Sequence, residues 1–265
     1  LRVESEAPGC QGLVREMRLI DGLNRVDLIN SLDKRDVREK ESVHFGFAFA
    51  VPDGQIRMDA PWAVVRPEED QLPGACKNYL TIGRWIDLSN TRFGVTWATI
   101  DAPLVEIGDI TVDVPTPFDP KVWIEKLRPG GTFYSYVMNN YWETNYKASQ
   151  EGPTTFRYAL QPHGKHDQAA AARFGMERSQ PLVVVPVDRG APVQPSLFTV
   201  EPPGVLVTSL KPSLDGKALM VRLFNAAASP EQVAMKWPGP SAPRVIRSSP
   251  KEERGSQVEG VFELP

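Results

Sequence analysis

Apolar and polar residues alternate along much of this chain with the period of two that a half-buried strand requires. In NRVDLIN (24–30), Val26, Leu28 and Asn30 fall on one face and Arg25, Asp27 and Ile29 on the other. The preceding GLVREMRLI (12–20) alternates in its second half, and the Asp21-Gly22 turn pair between the two runs predicts a hairpin. VHFGFAFAV (43–51) is the most apolar strand of the first half, closed by Pro52 and the Asp53-Gly54 turn. Further strands are predicted at 62–65, 84–88, 93–100, 132–138, 154–160, 205–211, 218–225 and 232–237. Each is short, rich in aromatic or β-branched residues, and bounded by turn chemistry.

Only HDQAAAARFGMER (166–178) reads as a helix, favoured by its alanines and ended by Pro181. So many short strands with scarcely any helical periodicity indicate an all-β sandwich or barrel. The chain from Pro181 to Pro203 holds six prolines, as a crossing segment or linker would. The expected division is therefore a main β domain over 1–200. Residues 201–265 then form a strand-bearing segment, either a small second sandwich or the closing strands of the first. The charged run DKRDVREKE (33–41) is expected as a solvated connection or a polar strand end, and the polar tail 239–255 as mobile.

Bulk properties narrow the function classes. Thirty Lys and Arg against 33 Asp and Glu leave a net charge of −3, which argues against a nucleic-acid partner. No apolar run approaches the roughly 18 residues that a membrane helix needs. Cys10 and Cys76 are too few for a disulfide scaffold; two free thiols are favoured over a single bridge. The chain opens on Leu1 without an initiator Met, and reads as a piece of a longer protein. Its compartment stays open, with bacterial cytoplasm and periplasm both compatible.

Candidate chemistry is sparse. The histidines are His44, His163 and His166, and His163-x-x-His166 is the only close pair, more simply a polar helix start than a metal site. No nucleophile elbow, P-loop, dinucleotide fingerprint or zinc-protease motif occurs. The richest stretch runs from Phe133 to Leu160 and holds five of the six tyrosines. Within it, Asn139, Asn140, Tyr141, Trp142, Glu143 and Asn145 combine amides, a carboxylate and aromatic rings. Sugars are held by that combination, with rings against C–H faces and amide or acid groups on hydroxyls. On residues alone, core and surface strand is the plainer reading. Tyr134, Tyr136, Phe156 and Tyr158 are expected mostly in the core, and His44 on a strand among aromatics.

Four segments together resemble one family: NRVDLINSLDKRDVREKESVHFGFAF (24–49), RWIDLSNTRFGVTW (84–97), MNNYWETNYKASQEGPTTFRYALQPH (138–163) and LKPSLDGKALMVRLFN (210–225). They are similar, in matching order, to the C-terminal β-rich half of bacterial glycoside hydrolase family 38, the α-mannosidases. The resemblance implies a galactose mutarotase-like β-sandwich that follows a catalytic α/β barrel and a helical segment. It also implies a zinc-dependent retaining mechanism whose Asp nucleophile and His/Asp ligands belong to that N-terminal barrel. No catalytic or metal residue of the family transfers to a position here, and no cofactor is expected in this chain. The implied partners are the parent's own catalytic domain and mannosides, met by residues 139–145. The alternative is a self-standing carbohydrate-binding or mutarotase-like module, for which His44 and Glu143 are the nominated acid–base pair.

Overall fold

A computed structural model describes residues 1–111, 123–128, 130–140, 147, 149–180, 182–190 and 196–265. The chain divides into two compact units, Leu1–His166 with Phe174–Pro181, and Asp167–Arg173 with Leu182–Pro265.

The first unit is a sandwich of two antiparallel sheets. In chain order its strands are β1 (Arg2–Ser5), β2 (Cys10–Leu19), β3 (Val26–Lys34), β4 (Ser42–Ala48), β5 (Gln55–Ala60) and β6 (Ala63–Val65). They continue as β7 (Leu80–Thr81), β8 (Trp85–Ser89), β9 (Gly94–Thr99), β10 (Leu104–Ile107), β11 (Thr132–Asn139) and β12 (Gly152–His163). The larger sheet has eight strands in the order β1-β2-β3-β12-β9-β8-β5-β6, and the smaller has four, β4-β11-β10-β7. The hairpin predicted around Asp21-Gly22 is present, with Leu19 opposite Val26 and Met17 opposite Leu28. The charged run begins as the polar end of a strand, one of its two expected roles, since Asp33 and Lys34 belong to β3.

Aromatic rings fill the space between the sheets. Phe47 lies 5.2 Å from Trp97 and 4.9 Å from Tyr158, centroid to centroid. Trp97 also meets Phe133 at 5.1 Å and stacks on Tyr158 at 5.3 Å. The Tyr158 hydroxyl donates to Ser135 Oγ at 3.0 Å, which satisfies its polar end inside the core. Phe156, Tyr158 and Tyr136 are buried as expected, whereas Tyr134 is only half-buried. Strand parity sets them on different faces. In β11, Phe133 and Ser135 pair with Phe47 and Phe45 on the inner face, so Tyr134 and Tyr136 turn to the outer one.

The helix expected near 166–178 is α1 (Gln168–Ser179), and its part from Phe174 onward packs on the outer face of the larger sheet. Asp167 precedes it and its Oδ1 accepts from Ala170 N at 3.0 Å, a typical N-cap. Pro181, the expected stop, lies outside the described residues. Phe174 packs on Ala98 and Ala159. A Cβ at Gly175 would come within 2.6 Å of Trp85, so only glycine permits that approach. With covering on both faces, every residue of β8 and β9 is buried.

In the second unit, β13 (Thr199–Glu201), β16 (Glu231–Lys236) and β19 (Phe262–Leu264) form a three-stranded sheet. β14 (Val205–Pro212) pairs with β15 (Leu219–Asn225), and β17 (Val245–Ser248) with β18 (Arg254–Val258). The last pair corrects the expectation of a mobile tail over 239–255. Its strands are mostly exposed, so the alternation of a buried strand is missing from the sequence there.

Trp97 is fully buried and its indole N–H has no partner among the described residues, so its value lies in packing. Trp97→Ala is expected to cost about 3–5 kcal/mol in chemical denaturation, against about 1 kcal/mol for Tyr158→Phe, which loses one hydrogen bond.

Candidate functional site

The stretch expected to meet sugar leaves the smaller sheet at the end of β11. Of its residues, Asn139 and Asn140 are described; Tyr141, Trp142, Glu143 and Asn145 lie outside the described residues. Asn140 is a clasp. Its Nδ2 donates to Val37 O at 2.8 Å and Glu39 O at 2.6 Å, and its Oδ1 accepts from Glu41 N at 2.6 Å. The amide thereby satisfies backbone groups of the 35–41 connection that no strand partner reaches. Asn139 differs: its backbone N–H donates to Gln150 Oε1 at 2.9 Å, while its buried Oδ1 has no partner among the described residues.

Beside these two residues, Lys34 and Glu41 form an ion pair with the Lys34 side chain almost fully buried. Together with Ser42, Gln150 and the two asparagines they line a cavity of about 10 Å³. That volume holds roughly one water and no sugar ring.

One strand turn away, the outer face of the smaller sheet carries a second polar group. His44 Nε2 lies 2.6 Å from Glu106 Oε1, and Glu106 Oε2 accepts from Thr111 N at 2.5 Å. The imidazole stacks on Tyr136 at 4.6 Å, as its expected place among aromatics suggested, and Tyr79 meets Tyr136 edge-on. Glu106 is a partner that sequence reasoning missed; Glu143, nominated there, lies outside the described residues. With side-chain exposures of 6% for His44 and 0% for Glu106, the pair faces no substrate.

The third group sits on the other sheet, under α1. Asp87 is 0% exposed. Its Oδ1 accepts from Ser89 Oγ at 2.5 Å, and its Oδ2 from Thr96 Oγ1 at 2.9 Å and His163 Nε2 at 2.7 Å. His163 Nδ1 faces the Gly164 carbonyl at 3.0 Å. Both ring nitrogens thus meet acceptors, a pattern that an imidazolium satisfies and a neutral ring cannot. His166 Nδ1 is 2.9 Å from Asp87 Oδ1, though the contact is not aligned as a hydrogen bond. Burial opposes ionisation of Asp87, but the contacts from His163, His166 and Ser89 outweigh it and hold the carboxyl well below the usual range. A lone acid inside WIDLS, between core residues, was the available signal, because a buried carboxylate must find partners.

Two histidines and a carboxylate invite a metal reading, which the geometry does not support. Each Asp87 oxygen already contacts a ring nitrogen and a hydroxyl, which leaves no common point at ligand distance. Among the described residues no group of three ligand side chains is arranged to hold a metal. Cys10 and Cys76 are both free thiols.

Two outcomes are expected from these clusters. Asn140→Ala should cost about 1–3 kcal/mol in urea unfolding and speed amide exchange over residues 37–41, because it leaves buried backbone groups unpaired. Asp87→Asn should cost about 2 kcal/mol at neutral pH. The Asp87 carboxyl ionises more readily in the folded state, so its stabilisation is present above about pH 4 and is lost as the pH falls below that value. Wild type should therefore lose more stability than the variant between about pH 4 and more acid solution, as read from urea midpoints at each pH.

No family model and no curated protein matches the chain. Solved structures do. An α-mannosidase from Enterococcus faecalis V583 superposes with a TM-score of 0.72 at 16% identity, over 96% of this chain and 28% of that one. A protein in glycosyl hydrolase family 38 from Enterococcus faecalis gives 0.68 at 14% identity, over 95% of this chain and 29% of that one. The chain thus spans less than a third of the length of these neighbours, and nearly all of it has the fold of a portion of them: an all-β sandwich with one helix.

Proposed function

We propose that this chain is the C-terminal, non-catalytic β-sandwich portion of a glycoside hydrolase resembling the family 38 α-mannosidases. It braces a catalytic domain that lies outside it, and that domain carries the zinc and the nucleophile. The observation that carries this reading is the superposition over 96% of this chain and 28% of an α-mannosidase. The fate of the titratable clusters agrees with it. Asp87 with His163 and Glu106 with His44 are both engaged internally, and both carboxylates are fully buried. A general acid or base must reach the proton it transfers, and these do not.

Carbohydrate contact belongs to the 139–145 stretch in this reading. The unpartnered Oδ1 of Asn139 supports an acceptor there. The Asn140 amide serves the fold, so Trp142 and Glu143 would carry recognition.

The test is hydrolysis of an aryl α-mannoside. The chain alone with added zinc should show no turnover, whereas the polypeptide that joins it to its catalytic domain should turn over and stop with a chelator. Chelator-sensitive turnover by the chain alone, or an inactive complete polypeptide, would overturn the proposal. Titration of the chain with manno-oligosaccharides, followed by Trp fluorescence in wild type and Trp142→Ala, separates bracing from binding. Tight binding by the chain alone would favour a self-standing module.

A further inference from the structure

The two sheets of the sandwich are unequal, eight strands against four, and the surplus is on one side. Phe45 of β4 packs on Phe156 and Tyr158, which places β4 over β12. Phe133 of β11 packs on Trp97, which places β11 over β9. The direction from β11 to β4 therefore runs with the direction from β9 through β12 to β3, β2 and β1. β4 is an edge strand, so among the described residues one of its sides carries unpaired backbone groups that point over β3 and β2.

Beyond that edge the inner face of the larger sheet stays buried at Asn30 and Leu32 and opens toward the end of β2 and β1. Tyr158 opposes Leu28, Leu28 opposes Met17, and Val3 opposes Arg15, so all share the face that bears the core. Leu28 is half-buried against the core, but Met17 is 43% exposed, Leu19 75% and Leu1 83%. These residues form an apolar shelf continuous with the sheet–sheet interface. In its middle Arg15 makes no ion pair among the described residues. An open strand edge above an apolar shelf has the features of a β-augmentation site, where main-chain bonds give affinity and alternate side chains fill the shelf.

We propose that this notch receives a β-strand from the remainder of the parent polypeptide, which pairs with β4 and lays its apolar side chains on Leu1, Met17, Leu19 and Leu28. The occupant rests on the reading of this chain as part of a larger glycosidase; the notch does not. Two observations favour that source. The shelf extends an interface already formed within the sandwich, and the chain accounts for only 28% of its α-mannosidase neighbour, so ample chain exists to supply the strand. Arg15 adds a chemical requirement: the incoming strand alternates apolar residues and carries an acid opposite the guanidinium.

The experiment compares the isolated chain with the complete polypeptide. Peroxide oxidation of Met17, read by mass spectrometry with buried Met58 as the control, should proceed in the chain and be lost in the complete polypeptide. Amides on the open side of β4 should exchange fast in the first and slowly in the second. Leu19→Glu, at an exposed position, should leave the chain folded and abolish its association with a separately produced catalytic part. Equal oxidation of Met17 in both forms overturns the proposal. So does protection of Met17 in the isolated chain that disappears on dilution, since the occupant would then be a second copy. Protection in a complete polypeptide without mannosidase activity would instead sink the functional reading and leave the notch assignment standing.

Discussion

The contact among Phe47, Trp97, Phe133 and Tyr158 joins two sheets that share no backbone hydrogen bonds with each other. Each pair adds about 0.5–1.5 kcal/mol beyond the area it buries, and the four rings come from four strands, two on each sheet. Much else follows from this seam. It fixes β4 over β12 and β11 over β9, and so decides which faces of both sheets turn outward. His44 with Glu106 and Asp87 with His163 occupy those outward faces, each beneath a further layer of chain.

Both groups show how a sandwich covered on its outside handles polar residues. A carboxylate without water is costly to bury and persists only when its lone pairs are filled. Asp87 has two hydroxyls and two imidazoles around it; Glu106 has an imidazole and a backbone N–H. Histidine suits this position because its ring also packs, as His44 does against Tyr136. Clusters of acid and histidine in such a fold are therefore part of its architecture before they are evidence of chemistry.

Much of the fold was legible in the residues. Period-two alternation located the β2–β3 hairpin, and aromatic or β-branched runs between turn residues located β8, β9, β14 and β15. The helix was legible from its alanines. Where side chains are mostly exposed the pattern vanishes, as in β17 and β18. Parity misled at Tyr134, which is half-buried on the outer face: an aromatic residue in a strand reads as core, and only the pairing of β11 with β4 shows which alternate set faces inward. The partners of the histidines were illegible for a different reason. Glu106 is 62 residues from His44 and Asp87 is 76 from His163, and no local pattern carries such pairings.

The clasp at Asn140 has a consequence for how this region can vary. It grips the carbonyls of residues 37 and 39 and the N–H of residue 41, all main-chain groups. Val37 and Glu39 contribute nothing to it through their side chains, so drift at those positions leaves the grip unchanged. The burden falls on a single amide, whose donor and acceptor ends are both in use; neither aspartate, without the N–H donors, nor leucine, without any polar end, could replace it. Tolerance to substitution along the connection is thus bought by intolerance at one residue in a distant strand.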